Sequence, residues 1–168
     1  MEQDKRAVEI ADMQAHIFCL AQLKWDVSAK DCVAIFKKHD LLGFIFDCYD
    51  LLVCGSYDYA ICEMEEILKA HGENICFDNY KTPKPVKLVV GQVSEEQKNF
   101  VAASIMRYML MDYAEEKGIS FEDALFLYAE SSAYEALFDF KTGIWREGPL
   151  HQRFIFEEAL QNAAKAES

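Results

Sequence analysis

The sequence predicts an all-α protein built from two diverged four-helix modules that pack as a tandem repeat. Three observations predict this fold. Apolar residues recur at helical spacing along most of the 168 residues, one short stretch occurs twice, and a Pro-containing segment separates the two halves. We therefore expect a first module over residues 1–72, an extended linker over residues 73–93 and a second module over residues 94–168.

The repeated stretch keeps a constant offset along the chain. Residues 27–36 (VSAKDCVAIF) and residues 119–128 (ISFEDALFLY) lie 92 positions apart, 119 against 27. A small helical unit buries its apolar stripe best against a neighbour, so we expect the two modules to share a core. Two further matches have the same offset: Phe-Asp at 46–47 and 138–139, and Glu-Glu at 65–66 and 157–158.

Four helices are predicted in the first module. A broad apolar face indicates the first over residues 4–23. Ser28, with Asp31 in the same turn, has the pattern of a capping box and begins the second helix. A strongly apolar segment predicts a central third helix over residues 41–53, and the fourth covers residues 57–70. Periodicity places apolar residues of the fourth helix inward and its acidic residues mostly outward: Ile61, Met64, Ile67 and Leu68 against Glu63, Glu65 and Glu66.

The segment between the modules differs in composition from both. Pro83 and Pro85 exclude a helix, and residues 86–90 (VKLVV) have strand character. Helices resume in the second module, where the pattern predicts them over residues 95–117, after Ser120, over residues 132–139, and from Pro149 to about residue 164.

The net charge limits the classes of partner. The chain has a formal net charge of −12 and no basic face or tail, which argues against direct binding of a nucleic-acid backbone. An acidic surface favours solubility and association with a basic protein. The first residues lack the apolar core of a signal peptide and no apolar run reaches membrane-spanning length, so we expect a cytoplasmic protein outside the membrane.

The sequence predicts no catalytic site, no cofactor and no metal site. All six cysteines lie in the first half, and most of them sit where small apolar residues would pack, so we expect buried free thiols without disulfides. Their irregular spacings argue against a bound metal. His16 lies one helical turn before Cys19, but such neighbours arise by chance in a chain rich in Cys and acids. The Glu-Glu dipeptides at 65–66 and 157–158 are interpreted as solvated faces, because adjacent helix residues point in different directions. The sequence contains no Gly-rich phosphate loop and no metal-binding His pair, and we expect no enzyme activity.

The best candidate for partner binding is the loop of residues 140–149. Gly143, Gly148 and Pro149 fix an irregular turn between two predicted helices, and loops held by a rigid frame are favoured places for recognition. Its tryptophan is either an exposed hot spot, a role in which Trp and Arg are enriched, or a plug over the core. The predicted contact residues are Phe140, Ile144, Trp145 and Arg146.

The first half carries a family pattern in residues 16–20 (HIFCL), 27–33 (VSAKDCV) and 41–59. In this pattern it resembles a family of small uncharacterised bacterial proteins, domain of unknown function 3791. The third helix of that family commonly continues as Tyr-x-x-Leu-His-x-x-Gly-x-x-Tyr. The chain has Tyr49, Leu52, Gly55 and Tyr59 near these places, and Val53 replaces the family histidine.

The second half has a different resemblance. It is similar to small proteins with a Leu-x-Asp-x-x-Thr-Gly-Leu-Trp-x-x-x-Pro motif, which stands here as residues 137–149 (LFDFKTGIWREGP). The two resemblances imply a protein encoded beside toxin-like ADP-ribosyltransferase proteins, with an antitoxin or accessory role. They carry over no catalytic residue.

Three classes of function stay open. The first is a non-catalytic protein-binding module, an antitoxin-like or accessory partner of a toxin-like ADP-ribosyltransferase. The second is an acidic nucleic-acid mimic or a regulator of a nucleic-acid-binding protein, which needs carboxylates spaced like phosphates on one face. The third is an enzyme of unrecognised type, which needs a polar pocket with convergent titratable groups.

Overall fold

The computed structural model describes residues 2–73, 75 and 93–166, with side chains from residue 5 onward. These residues form α-helices and one short 3₁₀ helix and contain no strand, so the predicted all-α class is confirmed. The chain divides into two compact units, residues 1–94 and 95–168. The predicted linker, with Pro83 and Pro85, lies almost entirely outside the described residues, as does Cys76. None of the described helices is long and apolar enough to cross a membrane.

The described residues of the first unit form five helical segments where four were predicted. The predicted third helix is interrupted at Cys48, where the backbone leaves the helical region at φ −97° and ψ 11°. The apolar period continues through this break, which is why the sequence alone suggested one helix. The segments are α1 (Glu2–Trp25), α2 (Ala29–His39), α3 (Leu41–Asp47), α4 (Tyr49–Leu52) and α5 (Tyr57–Ala70).

The core of the first unit forms around α1, which packs against α2, α3 and α5. Phe18 of α1 meets Phe36 of α2 edge to face, with ring centroids 5.0 Å apart, and both side chains are fully buried. Gln14, also buried, donates from its side-chain amide to the carbonyl oxygen of Leu42 at 3.0 Å, and this bond joins α1 to α3. Aromatic packing and a satisfied buried amide therefore fix α1 in place.

Glu65 departs from its predicted outward position. It is only 5% exposed, and its carboxylate accepts a hydrogen bond from the indole N–H of Trp25 at 3.0 Å. Trp25 ends α1 and is itself 3% exposed, so its N–H requires an acceptor inside the protein. The prediction of a solvated face at residues 65–66 was wrong for Glu65, because this bond joins the end of α1 to α5.

The second unit contains four α-helices and the 3₁₀ helix. The long α6 packs against each of the others, and a group of aromatic rings fills the centre. Phe156 lies about equally close to Tyr113 and Tyr128, with ring centroids 5.0 Å apart in both pairs. The segments are α6 (Glu95–Lys117), α7 (Phe121–Ala129), α8 (Ser132–Phe138), the 3₁₀ helix Ile144–Arg146 and α9 (Pro149–Ala166).

The predicted serine caps begin α2 and α7 with the same geometry. The backbone N–H of Asp31 donates to Ser28 Oγ at 3.1 Å, and that of Asp123 donates to Ser120 Oγ at 3.0 Å. In both places the serine hydroxyl donates to the aspartate carboxylate at 2.7 Å. The carboxylates thus hold the serine side chains, whereas in a capping box they would accept from the backbone N–H of the cap residue.

Candidate partner-binding surface

The loop between α8 and α9 is held by its own hydrogen bonds. Thr142 donates from its hydroxyl to the carbonyl oxygen of Asp139 at 2.8 Å and accepts from the backbone N–H of Ile144 at 3.3 Å. Gly143 follows in the left-handed region at φ 77°, where a side chain would be strained. These hydrogen bonds hold the residues directly before the 3₁₀ helix Ile144–Arg146. The loop is thus an ordered turn between two helices, which is what its glycines and proline predicted.

Trp145 lies inside the protein. It is 6% exposed, and its ring meets Phe140 edge to face with centroids 6.0 Å apart. The 3₁₀ helix that carries it packs against α6 and α8. The sequence left open whether Trp145 is an exposed hot spot or closes the core. In the structure it closes the core and does not present its ring to a partner.

The other three predicted contact residues have different degrees of exposure. Arg146 is exposed, and its guanidinium lies 4.9 Å from the centroid of the Trp145 ring. Phe140 and Ile144 are half-buried, and Lys98 of α6 lies over the Phe140 ring at 5.8 Å. The arginine is therefore the side chain of this loop best placed for a contact outside the protein, and the contact itself stays a prediction.

An apolar pair at the start of α9 was missed by sequence reasoning. Leu150 is 84% exposed and Phe154, one helical turn later, is 67% exposed. Gln152 and Phe156, on the other side of the helix, are fully buried. The signal was available: apolar residues at 150 and 154 in addition to the core position at 156 make α9 apolar on more than one side. We call Leu150 and Phe154 the α9 apolar pair.

Acidic side chains near the α9 apolar pair fall into two groups. Arg153 donates to Glu157 at 3.0 Å and to Glu116 of α6, and Lys117 then Arg153 lower the pKa of Glu116 below its ordinary value. These two carboxylates are neutralised within the unit. Glu147 and Glu158 are exposed and form no ion pair within the described part of the chain, so their charge is available to a partner.

Comparison with known proteins gives one match. Residues 16–71 match a family described as Protein of unknown function (DUF3791). The predicted resemblance of the first half is therefore confirmed, while the match includes none of the second unit. No curated protein and no solved structure matches the chain.

A polar cluster joins α1 to α4, in part within the matched residues. Arg6 donates to Asp50 at 2.9 Å, and Tyr49 donates from its hydroxyl to Glu9 at 3.4 Å. Burial, followed by the charge of Glu9, raises the pKa of Tyr49. A phenol with a raised pKa stays neutral at physiological pH, so this cluster is suited to joining helices rather than to proton transfer.

The pair first considered for nucleophilic chemistry, His16 and Cys19, is buried in α1. His16 is 5% exposed, its Nδ1 lies 2.8 Å from the carbonyl oxygen of Asp12, and its ring stacks on Tyr57 at 5.5 Å. Cys19 is 4% exposed, and in Cys32 burial raises the thiol pKa well above its ordinary value. A nucleophilic cysteine needs an accessible thiolate, so Cys32 is suited to packing.

Proposed function

We propose that the protein is a non-catalytic protein-binding module that uses the α9 apolar pair, with Arg146 beside it in sequence, to cover part of a partner protein. The single observation that carries this proposal is the exposure of Leu150 and Phe154, 84% and 67%, in the first two turns of a helix that buries Gln152 and Phe156 on its other side. Two large apolar side chains in adjacent turns of a helix can form the apolar centre of an interface, where aromatic residues such as phenylalanine are enriched.

The charge distribution indicates the chemistry of the partner. Glu147 and Glu158 lie near the α9 apolar pair in sequence without an ion pair in the described residues, and the whole chain carries −12. A partner that presents apolar residues surrounded by Lys or Arg would complement this surface and would be steered towards it. A second copy of the same acidic chain would be repelled, so the proposed occupant is a different, basic protein surface.

The class of partner comes from the resemblance of the chain. The two resemblances imply that the protein is encoded beside a toxin-like ADP-ribosyltransferase. We propose an antitoxin-like or accessory role towards such an enzyme, in the cytoplasm. The defined loop and the helix after it support a preformed binding surface, because little ordering is needed when the partner arrives.

We also propose that the two units are diverged copies of one helical module. Helices α2 and α7 begin 92 residues apart (121 against 29), as do α5 and α9 (149 against 57). Core positions at this offset are buried alike, since each member of the following pairs has zero exposure: Val33 and Leu125, Phe36 and Tyr128, Ile45 and Leu137, Met64 and Phe156. The α9 apolar pair has Asp58 and Cys62 at the equivalent positions of α5, so the proposed surface is specific to the second copy.

The binding proposal is tested by the affinity for the toxin-like enzyme encoded beside the gene. The double variant Leu150→Ser/Phe154→Ser should bind at least about 30-fold more weakly than wild type, since a hot spot contributes about 2 kcal/mol or more. Because both side chains are exposed, its melting temperature should remain close to that of wild type.

A matched control is available in the first unit. Phe46 and Leu51 are also large and exposed, at 57% and 62%, and Phe46→Ser/Leu51→Ser should bind the enzyme like wild type. Equal loss of affinity in both double variants would indicate nonspecific apolar binding and would contradict the proposal, as would full affinity in the α9 variant.

A further inference from the structure

Two histidines meet where α2 and α5 end. His39 is the last residue of α2 and His71 directly follows α5. Their Nδ1 atoms lie 3.0 Å apart, the ring centroids lie 5.1 Å apart and the ring planes differ by 21°, so the two rings meet at their Nδ1 edges. The His39 side chain is 6% exposed, while His71 is exposed to solvent. The pair therefore has one buried and one accessible member.

A carboxylate determines the tautomer of the buried histidine. His39 Nε2 lies 2.7 Å from a carboxylate oxygen of Glu73, and Lys38 donates to the same oxygen. The Glu73 oxygen faces a lysine ammonium and an imidazole nitrogen at once, and a carboxylate in this position accepts from both of them. His39 consequently carries its proton on Nε2, and in its neutral form it presents the Nδ1 lone pair to His71.

We propose that His39 and His71 form a binding site for one divalent transition-metal ion, in which the metal replaces the proton between the two Nδ1 atoms. Two imidazole nitrogens on a tetrahedral zinc ion, each at 2.0–2.1 Å from the metal, lie about 3.3 Å from each other. The observed 3.0 Å needs to widen by a few tenths of an ångström, and the rings need to turn so that both Nδ1 lone pairs point at the ion. Such a movement is available to His71, because it is exposed and lies outside the helix.

The proton balance of metal binding is simple. In the free protein His71 Nδ1–H donates to the His39 Nδ1 lone pair. When the metal binds, neutral His71 transfers this proton through water from Nδ1 to its own Nε2, and both Nδ1 lone pairs coordinate the ion. His39 keeps its Nε2–H on Glu73, the carboxylate–histidine–metal arrangement that orients ligands in many metal sites.

The chemistry of the ligands restricts the metal. Imidazole nitrogens suit zinc, copper and nickel, whereas magnesium and calcium prefer oxygen. No group of three or more His, Cys, Asp or Glu side chains in the described residues is arranged to hold a metal. The pair therefore supplies two ligands and leaves the remaining positions to water or to a donor from another molecule.

The test is titration of the whole protein with Zn²⁺ by calorimetry and with Co²⁺ by absorption. We expect one saturable site with a dissociation constant below about 100 µM, and His71→Ala should weaken it at least tenfold. Glu73→Ala should weaken it by about 10- to 100-fold, because the carboxylate positions His39. The exposed His151 of α9 provides the matched control, and His151→Ala should bind like wild type.

Three outcomes would overturn the proposal. They are the absence of a saturable site, unchanged affinity in His71→Ala, and a thiolate-to-cobalt charge-transfer band, which would place the metal on cysteine. His39→Ala removes a buried side chain and risks unfolding, so the decision rests on the exposed His71. Circular dichroism of each variant confirms that loss of binding is not loss of fold.

Discussion

At the scale of single residues, two tryptophans show how burial determines the role of a side chain. Trp25 is buried at the end of α1 and donates to the buried carboxylate of Glu65. Trp145 is buried under Arg146 and against Phe140. Neither ring is available to a partner, although tryptophan is enriched at interfaces. Composition identifies such residues as important, but only packing decides whether they stabilise the fold or bind.

Truncation of Trp145 tests its role as a core residue. Trp145→Ala should lower the free energy of unfolding by about 3–5 kcal/mol, because it leaves a cavity between α6 and α8. Arg146→Ala removes only an exposed side chain that lies over the ring and should cost less than about 1 kcal/mol. Urea unfolding followed by circular dichroism measures both. A Trp145→Ala variant as stable as Arg146→Ala would contradict the inward packing.

At the scale of helices, the sequence predicted most elements because their signals are local. Ser28 and Ser120 mark the starts of α2 and α7, and Pro149 marks the start of α9. The break at Cys48 was missed because the apolar pattern does not change there. The buried position of Glu65 was missed because it depends on the distant Trp25, and periodicity contains no information on that partner.

The sequence predicted where the loop of the candidate site lies, but it did not predict which side chains are exposed there. The glycines, the proline and the tryptophan indicated a loop between α8 and α9. The exposure of the Trp145 ring, however, depends on which helices pack around it. The α9 apolar pair had a sequence signal, since Leu150 and Phe154 are spaced by one turn. Neither residue was singled out from the sequence, because apolar residues at helical spacing most often face the core. Whether Leu150 and Phe154 are exposed depends on which elements pack against α9, and the sequence pattern does not contain this information.

The proposed repeat predicts a specific superposition of helices. Cα atoms of residues 28–39 and 57–70 should superpose on those of residues 120–131 and 149–162 as one set in a crystal structure of the protein. A register shifted by one helical turn is the control, and it should fit worse because it mismatches the core positions. If the helices after Ser28 and Ser120 do not overlay, the two units are unrelated.

At the scale of the whole molecule, we propose different roles for the two units. The first contains the DUF3791 match and the histidine pair, and the second contains the α9 apolar pair. In the proposed repeat, each copy keeps the fold through its core while its surface is free to change. The core positions are buried alike in both units, whereas α9 has Leu150 and Phe154 where α5 has a carboxylate and a thiol. The central claim is therefore that α9 of the second unit contacts a different protein.

Site-specific photo-crosslinking in the native host tests this claim most directly. A photoreactive phenylalanine analogue replaces either Phe154 or Phe46, two exposed phenylalanines of similar accessibility, 67% and 57%, in different units. The account predicts that position 154 gives one discrete adduct with a basic partner protein and that position 46 does not. An adduct of twice the chain mass of 19.3 kDa would show that α9 contacts a second copy instead. That result, or no adduct at position 154, would contradict the account.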